Sequence, residues 1–179
     1  EGQIRIGPLD PREDSTILKH HVAIVRPGAA IMRGSIIDNI TMFRKGDDVE
    51  LAMMASRLIG LDRDVHRLPL GYQTIISEGL STELPAGLAQ RIAIARAIAR
   101  RPALLILDEA NSALDMRGDR ALIDGLMRVR DFTTIIAITN RPSLAAVADQ
   151  RLYLESGILR SDIRADFAQS GNLMSKVSL

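Results

Sequence analysis

The sequence predicts an α/β fold built on a parallel sheet, and three observations carry that reading. The run Ala103-Leu104-Leu105-Ile106-Leu107 is continuously apolar, too short for most helices and right for a strand covered on both faces. Thr133-Thr134-Ile135-Ile136-Ala137-Ile138 has the same character, so a second buried strand is expected there. Residues 119–129 between them show helical periodicity, and strand, helix, strand implies a parallel crossover unit. At 179 residues the chain fits one domain able to bury a core.

Along the chain, Gln3-Ile4-Arg5-Ile6-Gly7 alternates polar and apolar residues before a Gly-Pro pair, which suits a short strand. His21-Val22-Ala23-Ile24-Val25 is a stronger strand signal, stopped by Arg26-Pro27-Gly28. From 36 to 61 apolar residues recur at helical spacing, notably Leu51, Met54, Ala55, Leu58 and Ile59, and predict a small helical subdomain. A long helix is expected over 86–100, with Pro85 in its tolerated place at the start and Pro102 after its end. Residues 151–155 and 158–160 flank Ser156-Gly157 as a hairpin. The tail from Ser161 is polar and weakly patterned.

Composition excludes several function classes. Lys and Arg number 23 against 22 Asp and Glu, so the net charge of +1 offers no broad field to nucleic acid or anionic lipid. There is no cysteine, and His20, His21 and His66 lie outside metal-ligand spacing. No stretch approaches the roughly 20 apolar residues that cross a bilayer, and Glu1-Gly2-Gln3 opens no signal-like segment. A membrane role is therefore expected to come through a partner.

In open parallel sheets ligands bind beyond the carboxyl ends of the strands, where Asp108, Glu109 and Asn140 would converge. An apolar strand ending in two carboxylates is how nucleotide hydrolases hold Mg²⁺ and orient an attacking water. Taken alone, Leu104-Leu105-Ile106-Leu107-Asp108-Glu109 fits equally a strand ending in two solvated acids. Its context decides. Gln90-Arg91-Ile92-Ala93-Ile94-Ala95-Arg96-Ala97, then Arg101-Pro102, the strand, Asp108-Glu109-Ala110 and Ser112-Ala113-Leu114-Asp115 closely resemble the signature-helix, Walker B and D-loop block of ABC ATPases. Ile31-Met32-Arg33-Gly34-Ser35-Ile36-Ile37-Asp38-Asn39-Ile40, Gly71-Tyr72-Gln73-Thr74 and Ser77-Glu78-Gly79 carry the resemblance toward exporters, in particular bacterial type I secretion ATPases.

The resemblance implies a P-loop NTPase fold of the ABC-ATPase kind, incomplete at its N-terminal side, with an inserted helical subdomain. Residues 1–35 would be the remnant of the N-terminal core, 36–99 the helical subdomain and signature helix, 100–160 the rest of the ATPase core, and 161–179 a tail. It implies ATP and Mg²⁺ as ligands, Asp108 as the carboxylate holding the metal through water, and Glu109 as the residue polarising the attacking water. Pro85, Ala86, Gly87 and Leu88 would stand at the signature, Ser112 and Asp115 at the dimer seam, and Asn140 at the switch position. The implied partners are a second ABC ATPase domain and the transmembrane domain of an exporter, the latter contacted near Arg33 to Met42, with no nucleic acid. The implied location is the cytoplasmic face of a bacterial inner membrane.

Four departures limit that expectation. No GxxxxGK[ST] loop occurs among the 179 residues, so tight ATP binding by this chain alone is not expected and a fragment of a longer protein is. Pro27 stands where the resemblance asks for the Q-loop glutamine, Leu84-Pro85-Ala86-Gly87-Leu88 replaces the LSGGQ signature, and Asn140 replaces the switch histidine. Asparagine donates hydrogen bonds but does not become a cation or exchange a proton near neutral pH. A degenerate cassette that binds a partner or nucleotide without turnover is the alternative these changes favour.

Overall fold

The computed structural model describes residues 3–8, 10–13, 20–76 and 84–163. A three-stranded parallel sheet lies at the centre, formed by β1 (Val22–Val25), β4 (Leu104–Asp108) and β5 (Thr134–Ile138) in the order β1-β4-β5. The register sets Val25 beside Leu107 and Asp108 beside Ile138, so the carboxyl ends of all three strands open on one edge. Two small antiparallel pairs complete the strands: β2 (Gly34–Ser35) with β3 (Ile75–Ile76), and the hairpin β6 (Gln150–Glu155) with β7 (Ile158–Ile163).

The α-helices that lie wholly within the described residues are α1 (Ile36–Thr41), α2 (Asp47–Leu58), α3 (Asp62–Val65), α4 (Ala86–Ala99), α5 (Met116–Val129) and α6 (Pro142–Ala145). Helix α4 is buried on most of its circumference, with Ile92, Ile94 and Ala95 fully enclosed, because α1, α2 and β1 all pack on it. Helix α5 buries one stripe, Leu122, Gly125, Leu126 and Val129, at the spacing of a single helix face. A Cβ at Gly125 would stand 2.5 Å from the Leu58 carbonyl oxygen, so the missing side chain is what lets α2 and α5 approach. One apolar cluster runs from Ala23 and Val25 through α1, α2 and α4 to Leu105, Leu107 and Leu122.

Several expectations change. Gln3 to Gly7 forms no strand beyond an isolated bridge at Ile6. His20 and His21 are helical rather than part of the strand. Helix α5 begins at Met116, three residues before its apolar pattern, because the Asp115 side chain accepts the Gly118 N–H and caps a first turn whose Met116 is exposed. Among the described residues the sheet is not covered on both faces. Leu105 and Leu107 are enclosed, but the registered row Ile24, Ile106 and Ile136, with Ile138 beside it, faces outward, and three of these four are about half exposed. Strand β5 is an edge among the described residues, which explains why its apolar sequence is not matched by burial. Ser77-Glu78-Gly79 and most of the tail lie outside the described residues.

Candidate functional site

Strand β4 ends at Asp108, and the chain turns sharply at Glu109, whose φ of 48° is unusual for a residue with a side chain. The Glu109 N–H donates to the Ile138 carbonyl at 2.8 Å, and the Glu109 carbonyl accepts the Ser112 N–H at 3.0 Å. These two bonds fix the left-handed turn to the end of β5 and aim the Glu109 side chain past the strand ends. There Asn140 Nδ2 donates to Glu109 Oε1 at 3.0 Å. Of the three residues expected at the strand ends, Glu109 and Asn140 are thus in contact, while Asp108 closes β4 beside Ile138.

The segment 110–115 that follows is tied to the 139–143 loop. Asn111, buried, donates from Nδ2 to Asp119 Oδ1 at 2.8 Å and accepts from Thr139 Oγ1 at 3.1 Å. Arg141 donates from its guanidinium to the Ser112 carbonyl at 2.9 Å, and Ser143 Oγ donates to Asp119 Oδ2 at 2.6 Å. Asn111, Asp119 and Ser143 were not expected at the site. Their only sequence signal is Asp119's place three residues before Leu122 and seven before Leu126, a carboxylate on a core stripe.

Pro85 and Gly87 stand elsewhere, against the 113–115 segment, with Ala86 between them in sequence. A Cβ on Gly87 would lie 3.0 Å from the Ala113 carbonyl, and Asp64, Arg91 and Asp115 line the same cleft. Pro85 is the residue preceding α4, not its first helical residue, and no side chain caps that end. Its carbonyl accepts from Leu88 N at 2.8 Å and Ala89 N at 3.1 Å. Leu88 lines the same cleft with a largely buried side chain, and its amide is one of the two that donate to the Pro85 carbonyl. Arg91 pairs with Asp64 and donates to the Gly87 carbonyl at 3.2 Å, which braces this start. Asp115 is engaged as the α5 cap.

Pro27 and Gly28 form a turn after β1, and no glutamine occupies it. Gln90, buried on α4, donates to the Arg26 carbonyl at 3.3 Å and so ties this turn to the signature helix. Arg96, nearly two helical turns on, donates to the Asn39 carbonyl at 2.7 Å and the Ala30 carbonyl at 3.0 Å, with burial lowering its pKa.

Among the described residues no three or more His, Cys, Asp or Glu converge as metal ligands. A Mg²⁺ that keeps waters and nucleotide oxygens needs only one or two carboxylates, and the partly exposed Asp108 at the strand end fits that demand. No described helix is long and apolar enough to cross a membrane.

The ABC transporter family matches residues 1–112. The cyclolysin secretion/processing ATP-binding protein CyaB of Bordetella pertussis is 35% identical over 144 residues, covering 80% of this chain and 20% of the relative. The alpha-hemolysin translocation ATP-binding protein HlyB of Escherichia coli O157:H7 is 35% identical over 162 residues, 90% of this chain and 23% of the relative. The type I secretion system ATP-binding protein PrsD of Rhizobium meliloti is 35% identical over 162 residues, 89% and 28%. The chain thus spans between a fifth and a third of these relatives' length. A bacterial Atm1-family ABC exporter with ATP bound superposes with a TM-score of 0.79 at 32% identity, covering 88% of this chain and 28% of the exporter. On the family match, the relatives and the shared fold together, the chain belongs to the ABC transporter family and is homologous to the ATP-binding components of ABC exporters.

Proposed function

We propose that this chain is the Walker B, D-loop and switch portion of an exporter ATPase domain, acting in a protein that couples ATP hydrolysis to export across a bacterial inner membrane. The observation that carries it is the pair Asp108-Glu109 at the carboxyl end of the central parallel strand, with Asn140 reaching the Glu109 carboxylate at 3.0 Å. Asp108 would hold Mg²⁺ through its hydration shell, and that ion, when bound, neutralises charge on the phosphate oxygens. Glu109, held out of the strand by its backbone bonds to Ile138 and Ser112, is placed to accept a hydrogen bond from water and orient it. The Ala86 and Gly87 amides present positive dipole to the phosphate of a second cassette, whose seam would include Ser112 and Asp115. The membrane domain would meet the surface near Arg33 to Met42.

The phosphate loop is supplied from outside these 179 residues in this reading. Parallel sheets are ordinarily covered on both faces, whereas the Ile24, Ile106, Ile136 and Ile138 face and the outer edge of β5 are open among the described residues. A longer chain that adds a strand and helix there would complete both the core and the nucleotide site.

The test is steady-state phosphate release by the longer protein under saturating Mg-ATP. Glu109→Gln keeps shape and removes charge, so nucleotide binding survives while turnover falls about 10²–10⁴-fold, the range of a positioned acid–base group. An unchanged rate in an already inert parent favours the second reading, a degenerate cassette. The specific observation behind that reading is that the Asn140 amide already occupies Glu109, which a proton-exchanging residue would not do in the same way.

A further inference from the structure

We infer that Asp119 is a positioning residue, holding the loop after β4 and the loop after β5 as one body so that Glu109 and Asn140 keep their mutual geometry. The inference rests on the roles given above to those two residues.

Asp119 is only 7% exposed on the core stripe of α5. Its Oδ1 accepts from Asn111 at 2.8 Å, its Oδ2 accepts from Ser143 at 2.6 Å, and the Arg141 guanidinium lies 3.9 Å away. It is not needed to start the helix, because Asp115 performs that capping. A buried ion pair is weak evidence of net stabilisation, and an apolar residue on this stripe would fit α5 as well. What the carboxylate adds is connection.

Through Asn111 it reaches Thr139, whose Oγ1 donates to Asn111 at 3.1 Å and accepts the Arg141 N–H at 3.0 Å. Through Arg141 it reaches the Ser112 carbonyl at 2.9 Å. Asn140 therefore sits between two residues that are both pinned to the same carboxylate network. Ser112, at the opposite end, is bonded to the Glu109 carbonyl. The ring closes where Asn140 meets Glu109.

The test uses the isotopically labelled longer protein without nucleotide, so its outcome is separate from any result on phosphate release. Asp119→Asn keeps size but cannot accept both hydrogen bonds and pair with Arg141. Amide hydrogen exchange at Ser112 and Arg141 should quicken about tenfold or more, while Leu105 and Leu107 in β4 keep their rates. The Asn140 side-chain amide resonance should shift as its bond to Glu109 loosens, although neither residue is altered. The exchange pair Asn111→Asp with Asp119→Asn, which returns a carboxylate to the same hydrogen bond, should restore the resonance. Ser143→Ala, a milder cut, should move the same signals in the same direction.

An Asn140 resonance that does not move in Asp119→Asn or Ser143→Ala overturns the inference. So does uniform acceleration across the core or unfolding of both variants, since either marks Asp119 as structural only.

Discussion

Residue chemistry at the strand ends was legible because position does most of the work there. An apolar run fixes where β4 stops, and the next two residues must then lie where parallel sheets bind ligands. That places Asp108, Glu109 and Asn140 at the strand ends, while their expected roles came from the resemblance of the surrounding block. Asn111, Asp119, Ser143 and Gln90 were not legible, since a lone polar residue in a helix or loop reads as solvated until the element packed against it is known. The Asn140 contact also changes how that residue is understood, from a phosphate donor to a partner of Glu109. Asn140→Ala in the longer protein should free the Glu109 carboxylate without supplying a proton donor, leaving turnover within about tenfold of the parent. Asn140→His should raise turnover by restoring a protonatable contact. Phosphate release from both variants, measured beside the parent, checks this; a large loss with Ala would show that Asn140 itself contacts the reacting phosphate.

At the scale of elements, periodicity located helices and strands but not their ends or their second faces. Helix α5 starts early because of a cap that periodicity does not register, and β5 is exposed because its sequence reports what it can bury, not what covers it. Helix α1 shows a local device in full. Ser35 Oγ accepts the Asp38 N–H at 3.1 Å while Asp38 accepts the Ser35 N–H at 2.9 Å, a reciprocal capping box. The Ser35 hydroxyl also donates to Asp38 Oδ2 at 2.5 Å, and this bond first, then the one from the Ser35 N–H, lowers the Asp38 pKa. A depressed carboxylate contributes stability above its unfolded value and loses it as pH falls through the folded value, so this contribution should fade in acid below about pH 4. Ser35→Ala should cost about 1 kcal/mol by denaturant unfolding and flatten part of the acid dependence. Gly125→Ala is expected to cost more, about 1–3 kcal/mol, because its Cβ would meet the Leu58 backbone at 2.5 Å and the two helices must separate. Equal stability of Gly125→Ala and the parent would show that α2 and α5 are not held at this distance.

For the molecule as a whole, the apolar sheet face of Ile24, Ile136 and Ile138 and the exposed apolar residues of the hairpin, Leu152, Leu154 and Ile158, leave more open hydrophobic surface than a finished α/β core. The 179-residue chain alone should bind hydrophobic dye and self-associate with rising concentration, and a dye-silent monomer would show that this surface is closed some other way. The proposed division of labour gives this chain the water-polarising half of an ABC ATPase site and places the phosphate-binding half outside these 179 residues. Calorimetric titration of the chain alone with Mg-ATP tests it most directly. No binding should be resolved below about 1 mM, because no GxxxxGK[ST] loop is present among the 179 residues to cradle the phosphates. Micromolar affinity would contradict it, since about 8 kcal/mol would then come from Asp108, Glu109, Asn140 and their neighbours without that loop.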